Sequence, residues 1–125
     1  MEPIRILLVE DNDVYRASLE LLLELEPGVQ VVGAVTDGAA AAGVCAETGA
    51  DVVLMDFRLP GLDGAAATAA VLDACPGVAV VCLTAEATEL EDEAVRQAGA
   101  AALVRKGVSL EELVTAIRRA AGGIE

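Results

Sequence analysis

Apolar residues along the chain gather into five short runs, each followed by a longer stretch with helical spacing. Ile4 to Val9, reading IRILLV, is the first strand candidate and runs into Glu10-Asp11-Asn12-Asp13. Residues 13 to 26 follow as a helix with Val14, Leu19, Leu22, Leu23 and Leu25 on its apolar side, stopped by Pro27-Gly28. Val29 to Val35 is a weaker second strand, and Asp37 opens a helix that runs to about Thr48, before Gly49. Val52 to Met55 is a third strand ending at Asp56, and a loop with Pro60, Gly61 and Gly64 leads into a helix over residues 64 to 75. Pro76-Gly77 precedes a fourth strand, Val78 to Leu83, which ends at Thr84. A helix over residues 87 to 98 closes at Gly99, and Ala101 to Val104 forms a fifth strand ending at Arg105-Lys106. Ser109 and Glu112 are spaced as a capping box for a last helix over residues 110 to 121.

The strand runs are continuously apolar rather than alternating. That pattern fits strands buried on both faces, hence a parallel sheet with helices on either side. Regular strand–helix alternation predicts an α/β fold with a doubly wound, five-stranded parallel sheet. One domain is expected over residues 1–121, with residues 122–125, opening on Gly122-Gly123, as the start of a linker to an output domain absent from this chain.

Composition narrows the function classes. At 125 residues and 55% hydrophobic, the chain has the means to bury one core. Aromatics are only 2%, so there is no stacking platform for single-stranded nucleic acid. The net charge of −13 and pI near 4.1 predict repulsion from nucleic acid phosphates and anionic lipids, so the chain itself is expected to bind neither DNA nor membrane. There is no His, which removes His-based metal sites and His-assisted nucleophiles. Cys45, Cys75 and Cys82 are widely spaced, read as small apolar filler, and argue for a reducing compartment. No signal peptide or membrane span is visible, so a cytoplasmic protein is expected.

The candidate chemistry lies at the strand ends. Glu10 and Asp11 follow the first strand, Asp56 ends the third, Thr84 the fourth, and Lys106 follows the fifth. In open parallel sheets ligands bind beyond the carboxyl ends of the strands. With the common strand order 2-1-3-4-5, the three carboxylates share one pocket, with a hydroxyl and an ammonium on its far side. Carboxylates so close repel one another unless a cation joins them. A hard divalent ion such as Mg²⁺, which takes oxygen ligands, resolves this. An Asp can serve as the nucleophile that forms an aspartyl phosphate. Phosphoryl transfer then needs mainly positioning and charge neutralisation. Taken singly, each residue has a plainer reading: Asp11 and Asp13 as helix caps, Asp56 as a turn former, Thr84 as a cap, and Lys106 as a solvated charge. Five such residues at matched strand ends favour the common task.

The segments IRILLVEDND (4–13), DVVLMDFRLPGLDG (51–64), VVCLTA (80–85) and GAAALVRKG (99–107) resemble the receiver domain of bacterial two-component response regulators, a flavodoxin-like fold. The resemblance covers essentially the whole chain. It implies that Glu10 and Asp11 hold Mg²⁺, that Asp56 is the phosphoacceptor and a metal ligand, and that the backbone carbonyl of Arg58 supplies a further metal oxygen. It implies that Thr84 closes on the phosphoryl group and that Lys106 pairs with it. The donor it implies is a phosphohistidine on a sensor histidine kinase. The only catalysis it implies is the domain's own phosphorylation and dephosphorylation, so this is not an enzyme acting on other substrates. Gly107 after Lys106 resembles the NarL/FixJ-type subfamily, whose members usually continue into a helix-turn-helix DNA-binding domain and often form homodimers. Leu103 stands where the family usually has Tyr or Phe, which removes the usual aromatic switch.

Three other readings compete. A haloacid-dehalogenase-like phosphatase wants D-x-D, whereas Asp56 is followed by Phe57-Arg58. A flavin-binding module needs Gly and hydroxyl residues after the first strand, where this chain has only acids and Asn12, so no organic cofactor is expected. A phosphorylation-independent receiver, acting by protein contact alone, would have no need of all five site residues, whereas a stand-alone receiver would keep them and stays open as an alternative.

Overall fold

The computed structural model describes residues 2–122. Elements alternate without exception: β1 (Ile4–Val9), α1 (Asp13–Glu24), β2 (Val29–Val35), α2 (Gly38–Thr48), β3 (Val52–Asp56), α3 (Gly64–Ala74), β4 (Ala79–Thr84), α4 (Glu89–Ala98), β5 (Ala102–Arg105) and α5 (Leu110–Gly122). The five strands form one parallel sheet in the order β2-β1-β3-β4-β5. This is the doubly wound α/β fold that the alternation predicts. The chain direction across the sheet reverses at β1, so β1 and β3 lie side by side at the switch point where such sheets bind ligands.

Strand side chains point alternately to the two faces, and the core divides accordingly. Leu7, Val9, Val53, Met55, Val80 and Cys82 pack on one face with Ala41, Cys45, Ala67, Val71 and Val95 of α2, α3 and α4. Ile6, Leu8, Val52, Leu54, Val81 and Leu83 pack on the other with Leu19 and Leu23 of α1 and Leu113, Val114 and Ile117 of α5. β3 is buried along its whole length, Asp56 included, because it has a strand on each side and helices over both faces. The edge strands β2 and β5 are only partly buried.

Element ends differ from the sequence expectation by one or two residues, and the caps give the reason. Asn12, Asp37, Asp63 and Thr88 sit in extended backbone as N-caps of α1 to α4, each accepting a backbone N–H through its side chain. Asp37 therefore precedes α2 rather than opening it, and α4 starts at Glu89 rather than residue 87. α1 ends at Glu24 with Leu25 as its C-cap, short of residue 26. Ser109 Oγ accepts from Glu112 N at 3.1 Å, as the capping-box spacing predicts. α5 continues through Gly122, and the rest of the expected linker, residues 123–125, lies outside the described residues. No helix among the described residues is long and apolar enough to cross a membrane.

Candidate functional site

Strand register sets the site. Val9 pairs with Met55, so Glu10 and Asp56 continue level from adjacent strands. Asp56 pairs with Leu83, and Thr84, next along β4, pairs with Arg105 of β5. Lys106 follows Arg105, and its backbone N–H donates to the Thr84 carbonyl at 2.7 Å. All five residues singled out in the sequence thus emerge at the same edge of the sheet.

Glu10, Asp11 and Asp56 each offer a carboxylate oxygen, and these oxygens lie within 4.8 Å of one another. Glu10 and Asp56 are buried, while Asp11 is exposed at the rim. Neither Asp11 nor Asp13 caps α1; Asn12 does, accepting from Tyr15 N at 2.8 Å. Asp13 pairs with Arg16 at 2.7 Å on the surface. The Glu10 carboxylate is held from below, with Oε2 accepting from Asn12 N at 3.1 Å. Its Oε1 is buried with no hydrogen-bond partner in good geometry. The Lys106 ammonium stands 2.9 Å from that oxygen and 3.3 Å from Asp56 Oδ1. Lys106 reaches there from β5, passing above β4, and its Nζ lies 4.7 Å from the centre of the Tyr15 ring. The ammonium is therefore paired with the Glu10 and Asp56 carboxylates rather than solvated as a lone surface charge.

Electrostatics follow from this crowding. Burial, and then the Glu10 carboxylate, push Asp56 up to about 6, against the opposing pull of Lys106 and the Arg58 N–H. Burial works against the Lys106 ammonium, yet its bond to Glu10 and the Asp56 charge raise its pKa overall, so it stays charged. Three carboxylates against one ammonium leave the pocket negative. A buried Glu10 oxygen faced by the Lys106 ammonium alone, beside two further carboxylates, leaves room for a hard cation with oxygen ligands.

Arg58 and Thr84 join the site differently. Arg58 N donates to Asp56 Oδ1 at 3.2 Å, which folds the peptide after β3 back over the carboxylate. Thr84 is 1% exposed and does not cap a helix. Its hydroxyl has two acceptors in reach, Glu91 Oε1 at 2.6 Å and the Glu86 carbonyl at 3.1 Å. Glu91 also accepts from Arg58 Nη2 at 3.1 Å. Sequence reasoning missed Glu91 and Tyr15. Glu91 had a signal in the spacing Thr88-x-x-Glu91, but that spacing reads as a capping box. Leu103 is half-buried and packs against the core face shared by α2, α3 and α4.

A family model described as "Response regulator receiver domain" matches residues 6–118. The chain is 37% identical over 120 residues to the response regulator UvrY of Escherichia coli K12, and 38% identical over 120 residues to the response regulator GacA of Pseudomonas aeruginosa. Those matches cover 96% of this chain but 55% and 56% of the relatives, so the chain spans about half their length. Among solved structures, the signal receiver domain of the response regulator NarL from Mycobacterium tuberculosis superposes with a TM-score of 0.93 at 32% identity, covering 99% of this chain and 100% of that one. A LuxR-family two-component response regulator from Aurantimonas sp. SI85-9A1 gives 0.92 at 31% identity, over 98% of this chain and 87% of that one.

Proposed function

The chain belongs to the response regulator receiver family, and from that premise we propose that Asp56 accepts a phosphoryl group in a Mg²⁺-dependent reaction. One observation carries the reading: a buried Asp56 lies within 4.8 Å of the Glu10 and Asp11 carboxylates and has the Lys106 ammonium 3.3 Å away. Asp11, Asp56 and the Arg58 backbone carbonyl would hold Mg²⁺ directly, with Glu10 acting through water. When bound, the ion neutralises the carboxylates and offsets charge on the phosphoryl oxygens.

The donor is a phosphohistidine on a sensor histidine kinase, with small acyl phosphates as substitutes. An Asp56 carboxylate oxygen attacks phosphorus, the P–N bond of the donor breaks, and the imidazole leaves with the bonding pair. Lys106 keeps its charge against the added phosphoryl oxygens, and the Thr84 hydroxyl donates to one of them. The same site then loses its phosphoryl group to water, which is the extent of its catalysis.

The exposed Val14 and Leu21 of α1, with Leu25 at its C-cap, support use of that helix in protein contact, with the kinase or in a homodimer. The net charge of −13 supports a receiver that does not itself touch DNA. The relatives' greater length leaves room for an output domain beside such a receiver, and a DNA-binding one would make the protein a transcription regulator. The free thiols of Cys45, Cys75 and Cys82 support a reducing, cytoplasmic setting.

Acetyl phosphate with Mg²⁺ is expected to add one phosphoryl mass to the intact protein. Asp56→Asn is expected to gain none; labelling of that variant to the parent's level would refute the assignment.

A further inference from the structure

The start of α4 departs from the usual capping arrangement. Thr88 caps the helix by accepting from Glu91 N at 3.1 Å. In a capping box the glutamate at this position returns to the backbone N–H of the cap residue. Here both Glu91 carboxylate oxygens go elsewhere: Oε1 accepts from the Thr84 hydroxyl at 2.6 Å and Oε2 from Arg58 Nη2 at 3.1 Å. Glu91 is 7% exposed, although its helix neighbours Glu89, Asp92 and Glu93 are not buried. A carboxylate taken out of water needs partners. It has the Thr84 hydroxyl, the guanidinium of Arg58 and the positive end of α4.

Those partners connect to the phosphoacceptor on two sides. The Arg58 backbone binds Asp56 while its side chain binds Glu91. Thr84 ends β4, next to the strand that carries Asp56. A threonine hydroxyl has one proton to give. At 2.6 Å from a carboxylate that proton is in a charge-assisted bond, among the stronger hydrogen bonds proteins make. While it is there it cannot reach a phosphoryl oxygen on Asp56.

We propose that Glu91 is a positioning residue that withholds the Thr84 hydroxyl from Asp56 until a phosphoryl group outcompetes it. Phosphoryl capture then breaks the Thr84–Glu91 bond, and Arg58 retains the Glu91 carboxylate. Glu91 thereby sets how readily the site closes on its phosphoryl group. The inference rests on Asp56 as phosphoacceptor and Thr84 as its hydroxyl donor.

Two measurements on the parent, Glu91→Ala and Glu91→Gln test it. The first is the Thr84 χ1 rotamer from scalar couplings in ligand-free protein. The second is calorimetric affinity for beryllofluoride, a phosphoryl mimic, with Mg²⁺. The parent is expected to hold Thr84 in one rotamer and Glu91→Ala to let it average. Glu91→Ala is expected to bind beryllofluoride on the order of tenfold more tightly, the scale of one lost hydrogen bond to a charged group. Glu91→Gln keeps a neutral acceptor of similar size and is expected to fall between, so the comparison survives if the alanine variant folds poorly. A merely structural Glu91 would give weaker binding in both variants. A parent that binds beryllofluoride, with variants that bind no more tightly and leave Thr84 unmoved, overturns the role of Glu91 alone. A parent that binds no beryllofluoride overturns the Asp56 assignment beneath it.

Discussion

At the scale of single residues, Asp56 combines burial with like charge. It is 4% exposed, ends the central strand, and shares its pocket with Glu10. Burial and that carboxylate raise it from 3.8 to about 6. Between about pH 4 and pH 6 the folded protein therefore binds more protons at Asp56 than the unfolded chain does. Stability tied to this residue is greatest below that interval and falls as pH rises through it. Asp56→Asn removes the charge and keeps the shape. In buffer with EDTA at pH 7 it is expected to be more stable than the parent by about 1–2 kcal/mol, after allowance for water reaching the site. The gain is expected to shrink toward pH 4. Urea denaturation at several pH values reads both; a variant less stable than the parent at pH 7 would remove burial strain from Asp56.

At the scale of elements, α3 holds the phosphoacceptor strand in place through a residue with no side chain. A Cβ on Gly64 would lie 2.5 Å from the Asp56 carbonyl oxygen and 2.6 Å from Phe57 Cα, both backbone atoms that cannot swing away. Gly43, within α2, would meet nothing within 4 Å. The two glycines should respond oppositely to alanine. Gly64→Ala is expected to cost about 1–3 kcal/mol through overpacking, with NMR shifts spreading along β3 to Asp56. Gly43→Ala is expected to stabilise by about 0.5–1 kcal/mol through helix propensity. Equal responses in denaturant midpoints would contradict the close approach at Gly64. The elements themselves were legible because strand burial on both faces leaves continuous apolar runs such as VVLM in β3, and because Pro27-Gly28, Gly49 and Gly99 punctuate the helices. Helix starts were less legible: a polar residue before a helix reads equally as cap or first turn, and only its backbone angles decide. The same ambiguity left Asp11 with two readings until Asn12 was found to be the cap. Glu91 was illegible for a different reason. Its local spacing explains it fully as a capping residue, and its true partners, Thr84 at the end of β4 and Arg58 in the loop after β3, are brought to it only when the sheet and α4 fold together.

At the scale of the molecule, the −13 charge acts in two ways that a metal separates. The first is diffuse. Acidic side chains over the surface repel one another, and any salt screens them, with a Debye length of about 10 Å at 0.1 M. The second is local, at the edge where Glu10, Asp11 and Asp56 come within 4.8 Å. Folding assembles that edge from β1 and β3, which lie far apart in sequence, so a cation held there binds the folded protein and not the unfolded chain. Such binding adds stability as RT ln(1 + [L]/Kd), about 1.4 kcal/mol when the free ion is at roughly ten times its Kd. NaCl is expected to raise the parent's melting temperature modestly. MgCl₂ at matched ionic strength is expected to raise it further. Asp11→Ala removes one ligand and one charge, and its carboxylate among the described residues has no capping or ion-pair role whose loss would blur the result. That variant is expected to keep the response to NaCl and lose most of the extra response to MgCl₂. Glu10→Ala is expected to lose less of it, because Glu10 is proposed to reach the ion only through water. If MgCl₂ and matched NaCl stabilise the parent equally, or if Asp11→Ala keeps the full difference between them, then the carboxylate edge is only part of an acidic surface and does not hold the ion.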